Sequence, residues 1–182
     1  SAMLNGMPPG STLGGTVNLV PKRAGDDPLT RFTTTYMSDS QFGGHLDIGR
    51  RFGENKEFGV RFNSVYRDGE GPIKEQEKTT HLFSLGLDWR GDNARLSADL
   101  YTSRDHADGI NRGLTILPGV NLPKAPNPDT LLNPTWTVYN TRDTGGMIRG
   151  EYDLNDKWMA YATAGMSKTE YNTLGAAKTE IQ

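Results

Sequence analysis

The chain has 182 residues, of which 34% are hydrophobic and 23% charged, with 22 glycines, no cysteine and a formal net charge of -2. It is too apolar and too aromatic for a disordered chain and too polar for a helical membrane protein, and no run approaches the roughly 18 apolar residues of a transmembrane helix. Charges of both signs are interspersed without a basic stripe, which argues against nucleic acid as a partner, and the missing thiols exclude disulfides and zinc–thiolate sites.

The chain opens with NGMPPGSTLGGTVNLVPKR, residues 5–23, where glycine and proline precede a short alternating strand, Thr16 to Val20, and two adjacent cations, Lys22 and Arg23. No signal peptide is legible, Ser1-Ala2-Met3 reads as an expression scar, and the expectation is a chain cut from a longer one. Ala24 to Pro28 is turn chemistry and reads as a linker.

Strands follow. The first spans Thr30 to Met37, rich in threonine and aromatic residues. A polar reversal leads into the second, Gly43 to Phe52, in which Leu46, Ile48 and Phe52 alternate with His45, Asp47 and Arg51. After the tight turn Gly53 to Glu57, the third, Phe58 to Asp68, sets Phe58, Val60, Phe62 and Tyr66 opposite Arg61, Asn63 and Arg67. A polar loop, Gly69 to Thr79, precedes the fourth, Thr80 to Arg90, with Phe83, Leu85, Leu87 and Trp89 on one face. Gly91 to Asn93 turns the chain into the fifth, Ala94 to Arg104, where Leu96, Ala98 and Leu100 oppose Arg95, Ser97, Asp99 and Tyr101. A proline-rich excursion, Asp105 to Asn140, separates this from strands six, Thr141 to Leu154, and seven, Lys157 to Tyr171, joined at Asn155-Asp156.

The pattern predicts an all-β antiparallel up-and-down meander with one wet face. Most of these strands run about 10 to 14 residues, about twice the usual soluble length, and suit a tilted crossing of a bilayer. Short connections alternate with long ones, the rim asymmetry of an outer-membrane barrel. Phe52, Phe58, Trp89 and Trp158 sit beside the short turns, where an interfacial aromatic girdle would lie.

Catalytic signatures are missing. No nucleophile elbow or phosphate-binding glycine loop occurs, the carboxylate pair Asp26-Asp27 lies in a turn, and the sequence is read as that of a non-enzyme. Arg104-Asp105-His106-Ala107-Asp108 could present two carboxylates and an imidazole to a cation, but a solvated strand end explains it better, and no metal site is assigned. The proline-rich loop carries Leu114, Ile116, Leu117, Leu122, Trp136 and Tyr139. A connection of that length points to a binding surface.

Gly14-Gly15-Thr16-Val17-Asn18-Leu19-Val20-Pro21-Lys22-Arg23 resembles the end of the plug domain of TonB-dependent outer-membrane receptors of the ferric-siderophore, ferrichrome-like kind. Gly14, Gly15, Asn18, Lys22 and Arg23 carry this junction motif, and LDIGRRFGENKEFGVRFNSVYRDG and SLGLDWRGDNARLSADLY resemble the family's first barrel hairpins. The resemblance implies three parts: a plug end at residues 1–23, a linker at 24–29, and the first strands of a 22-stranded transmembrane barrel at 30–182. It also implies import of a ferric siderophore, energised through TonB by a region not present, in contact with outer-membrane lipid and with no covalently bound cofactor.

Related receptors place aromatic residues before a Leu-Pro in an outer loop. Here Leu114 and Ile116 stand in their places. Candidate ligand contacts are therefore Leu114, Ile116, Trp136 and Tyr139, with Tyr101 and Arg104 as lumen-side candidates at the end of strand five. Two other readings remain open: an outer-membrane barrel without TonB coupling, and a soluble β-sandwich whose Phe83-Leu85-Leu87-Trp89 face packs on a second sheet. A piece of barrel with two open edges is expected to self-associate.

Overall fold

The computed structural model describes residues 20–37, 40–110, 115–116, 118–119, 121, 124–175 and 180–181. The predicted strand Thr16 to Val20 lies, except for Val20, outside the described residues. The seven long strands are β1 (Leu29–Met37), β2 (Gln41–Phe52), β3 (Phe58–Glu70), β4 (Glu77–Arg90), β5 (Ala94–Asp108), β7 (Val138–Asn155) and β8 (Trp158–Leu174). They form one sheet in the order β1-β2-β3-β4-β5-β7-β8, every neighbour antiparallel. The two remaining pieces, β6 (Thr115–Ile116) and β9 (Glu180–Ile181), pair in parallel with each other.

The strand order follows the sequence expectation, but the strands run further into the connections that lead away from the short turns. The predicted loop Gly69 to Thr79 contracts to residues 71–76, and the excursion predicted from Asp105 to Asn140 contracts to 109–137. The reason is cross-strand bonding between polar residues that read as loop. Thr79 donates to Asp68 at 2.6 Å and Thr80 to Asp105 at 2.7 Å, while His106 joins Asn140 at 2.6 Å. A polar segment with partners on both sides extends a ladder as well as an apolar one does.

A register that shifts only near the short turn, between Asp153 and Asn155, fixes the two faces. The row Phe62, Leu85, Leu100, Gly146 and Met166 belongs to one face, as does the row Val60, Leu87, Ala98, Ile148 and Ala164. This apolar face is open: Leu100 is 57% exposed, Ile148 62% and Met166 82%. No second sheet covers it among the described residues, so the sandwich reading loses its required partner. On the opposite face stand Asp47, Arg61, Asp88, Asp99 and Arg149, and the buried residues of the sheet gather there, while Asn133 and Thr137 are buried in the long connection. Ala24 is the one buried apolar residue among those described, whereas Asp47, Asn63 and Thr141 are buried polar ones.

Among the described residues the apolar face is therefore uncovered and β1 and β8 have a single neighbour each. Light scattering of the purified chain without detergent is expected to give oligomers or aggregates; a stable monomer would contradict the uncovered edges.

Candidate functional site: the polar face and its tail

The polar face is roofed by the residues that precede β1. Lys22 Nζ donates to Asp47 on β2 at 3.2 Å. Arg23 grips Asp99 on β5 with both terminal nitrogens, the second contact at 2.6 Å. The carboxylate of Asp99 holds the Arg23 guanidinium above its already high ordinary value through this pair of hydrogen bonds. Asp47 is 1% exposed and also receives Arg61 of β3 through Nε at 2.6 Å and Nη2 at 2.8 Å. Arg61 reaches back to the Arg23 carbonyl at 3.3 Å. One buried carboxylate thus ties together β2, β3 and the tail.

The next residues are fastened to the short-turn rim. Arg51, whose side chain is fully buried, donates to the Ala24 carbonyl at 3.1 Å, the Lys56 carbonyl at 2.5 Å, the Glu57 carbonyl at 3.0 Å and Asp88 at 2.7 Å. Arg90 reaches Asp26 at 3.2 Å, and Lys56 donates to the Asp26 carbonyl at 3.0 Å. The tail lies flat because glycine underlies it. A Cβ on Gly86 would stand 3.0 Å from the Lys22 carbonyl oxygen and 3.0 Å from the Arg23 guanidinium, closer than a side chain tolerates without displacement.

At the opposite rim the polar face carries aromatic residues. Tyr101 faces Gly145 on β7, and a Cβ at Gly145 would lie 2.7 Å from its ring, so the ring rests directly on the backbone. Tyr139 and Tyr171 point to the same face with ring centroids 6.3 Å apart. Trp136, 54% exposed, stands at the end of the long connection.

That connection is fastened at its neck. Gly109 donates to the Thr137 carbonyl and Ile110 to the Thr137 hydroxyl, both at 2.8 Å, and the hydroxyl donates to the Pro134 carbonyl at 2.9 Å. The connection between β3 and β4 docks on it. Gln76 donates to the Gly109 carbonyl at 2.8 Å, and Lys74 binds Asp129 through its ammonium at 2.7 Å and its backbone N–H at 2.9 Å.

The hydrogen bond from Lys74 holds the Asp129 carboxyl below the ordinary carboxylate value. A lowered carboxylate contributes stability above its unfolded value of about 3.9 and loses it as pH falls through the lowered one. Carboxyl NMR titration of Asp129 is expected to give a midpoint below that of a free aspartate, returning to normal in Lys74→Met. An unchanged midpoint in that variant would dissolve the pairing.

No protein-family model matches the chain. It is 42% identical over 171 residues to the ferrichrome receptor FcuA of Yersinia enterocolitica, an alignment covering 93% of this chain and 23% of that protein. Its structure resembles that of BauA, the ferric preacinetobactin receptor of Acinetobacter baumannii, with a TM-score of 0.91 and 58% identity over 100% of this chain and 27% of that one. The chain is similar in sequence and in fold to a segment of these outer-membrane ferric-siderophore receptors. The ferripyoverdine receptor of the Pseudomonas aeruginosa outer membrane shares the fold, with a TM-score of 0.78 at 15% identity over 89% of this chain and 22% of that one. The chain spans about a quarter of the length of the relatives it matches, and its meander is part of the 22-stranded barrel of this receptor family.

Within this receptor barrel the predicted site residues separate. Lys22 and Arg23 lie on the polar face, bonded to Asp47 and Asp99, while Gly14, Gly15 and Asn18 lie outside the described residues. Tyr101 and Tyr139 share the polar face at the long-connection rim. Leu114 lies outside the described residues, and Ile116 is described through its backbone, in β6.

Arg104 departs from the expectation of a lumen-side residue. It pairs with His81 and Arg142 on the apolar face, because an odd separation from Asp99 and Tyr101 places it across the sheet. His106 directs its two ring nitrogens to Asn140 and Asp108, at 2.6 and 3.0 Å, and so serves the ladder. Sequence reasoning missed Tyr171, Asp47, Arg51 and Asp88 as members of the polar face's working set. Alternation placed Asp47, Arg51 and Asp88 on that face, but only pairing with the tail singles them out.

Proposed function

We propose that this chain is the plug-to-barrel junction and first barrel strands of an outer-membrane receptor that imports a ferric siderophore, energised through TonB. Residues 1–23 are the end of the plug, 24–29 the linker and 30–182 the beginning of the barrel. The observation that carries this reading is the tail: Lys22 and Arg23 are pinned on the polar face by Asp47 and Asp99, which is where a plug must leave the lumen. The similarity to relatives named as ferrichrome and ferric preacinetobactin receptors supports a ferric siderophore as the cargo. The polar face then lines the lumen, the apolar face meets outer-membrane lipid, the short turns are periplasmic and the long connections extracellular. Transport is a binding and gating process without covalent chemistry, and the relatives are receptors.

Tyr139, Tyr171, Tyr101 and Trp136 form the ligand-facing group on this reading, since aromatic rings with polar tips supply contact area and hydrogen bonds at low entropic cost. The test is uptake of iron-55 by an iron-starved receptor-deficient strain carrying the full-length receptor that contains this segment, supplied with a panel of ferric siderophores. Import of at least one is expected, and import of none overturns the reading. For the imported compound, the double replacement Tyr139→Ala/Tyr171→Ala is expected to weaken binding about tenfold or more.

A further inference from the structure

The apolar face ends in charge. Above the row Phe62-Leu85-Leu100-Gly146-Met166 comes Ser64-Phe83-Thr102-Thr144-Lys168, and above that Tyr66-His81-Arg104-Arg142-Glu170. His81 lies opposite Arg104, and Arg104 opposite Arg142, all of them exposed. Like charges set directly across a ladder destabilise it. Among the described residues neither guanidinium donates to a carboxylate: Glu170, whose charge acts on Arg142 across the ladder, is hydrogen-bonded by Lys168 at 2.5 Å. Between the arginines, with His81, Phe83 and Thr102, lies a shallow recess of about 290 Å³.

The depth of this row sets what it meets. From Tyr152 to Arg142 the strand climbs about 33 Å at ~3.3 Å per residue. A tilt of about 40° reduces this to about 25 Å along the membrane normal, the height of the apolar band of such barrels. The Tyr66 ring packs against His81 with centroids 4.8 Å apart, as an interfacial aromatic does. The two arginines therefore stand at head-group level on the lipid side, where neither the lumen nor the imported cargo reaches them.

We propose that Arg104 and Arg142, aided by His81, bind the phosphate group of an anionic lipid in the outer leaflet. Guanidinium forks match phosphate oxygens in pairs, and a bound phosphate turns the opposed cations from repulsion into a shared clamp. The flanking Phe83 and Leu100 would contact the first part of the acyl chains. This inference rests on the barrel reading and gives Arg104 a role outside the ligand cavity.

The test is electron spin resonance of the full-length receptor reconstituted in phosphatidylcholine vesicles with either spin-labelled phosphatidic acid or spin-labelled phosphatidylcholine. The wild type is expected to select phosphatidic acid at its surface, and Arg104→Gln/Arg142→Gln to reduce that selectivity by about fivefold or more, with Arg104→Lys/Arg142→Lys retaining part of it. Arg67→Gln, a lumen-side control, is expected to leave it unchanged. The count of immobilised phosphatidylcholine reports folding in each variant. Immobilised phosphatidylcholine without any preference for phosphatidic acid, or a preference that survives the double glutamine variant, overturns the clamp alone. Immobilisation of neither lipid overturns the barrel reading and the clamp with it. Suppression of the preference by millimolar free phosphate, added on the vesicle side of Arg104, would assign the site to a soluble anion and overturn the lipid.

Discussion

Replacing Asp47 by alanine is expected to destabilise the full-length receptor by about 3–5 kcal/mol, because it strands a cation against a surface that was built around its counter-charge. Arg61 places two nitrogens on this carboxylate, at 2.6 and 2.8 Å, and would keep only the Arg23 carbonyl at 3.3 Å. Lys22, about half exposed, is solvated when released, so the loss falls on Arg61 and on the β2–β3 pair. Asp47→Asn keeps an acceptor and is expected to lose less. The measurement is unfolding of the detergent-solubilised receptor, followed by its gel mobility with and without heating, against urea. A change in Asp47→Ala smaller than about 0.5 kcal/mol would mean that the carboxylate does not organise the junction.

Arg51→Met is expected to have an effect of similar size, about 3–5 kcal/mol, and to loosen the tail as well. Its buried guanidinium satisfies three carbonyls, of Ala24, Lys56 and Glu57, and neutralises Asp88. Without it Asp88 keeps only Arg90, at 3.6 Å, while its Oδ1 already has no partner among the described residues. The paired replacement Arg51→Met/Asp88→Leu removes both charges and is expected to recover much of the loss, since an apolar pair carries no stranded ion. Limited proteolysis at residues 24–28 should accelerate in Arg51→Met. If the double variant is no more stable than the single one, the damage comes from the lost carbonyl hydrogen bonds and packing, and the ionic account fails.

Much of the fold was legible before any coordinates. Alternation placed Phe83, Leu85, Leu87 and Trp89 on one face and Asp88 and Arg90 on the other, because a strand has a period of two whatever it pairs with. The strand ends were less legible. Asp68, Thr79, Thr80 and Asp105 have the composition of a loop, and only their cross-strand partners reveal that they prolong the ladder. Arg104, expected on the lumen side from its place at the end of strand five, stands on the other face, as strict counting of the strand period from Asp99 requires.

What the amino-acid sequence determined by itself is local and periodic: seven long antiparallel strands, an apolar stripe, turns of two lengths, and a cationic pair at the end of a glycine-rich segment. Tertiary structure decided which anions those cations meet. Lys22 finds Asp47 and Arg23 finds Asp99 at separations of 25 and 76 residues, with Gly86 leaving room for the tail between them. Charge pairing depends on distances that close only when the whole meander is laid side by side, and no local pattern encodes which of many carboxylates will lie there. The cationic pair was therefore readable as residues, but its anchorage is a property of the sheet.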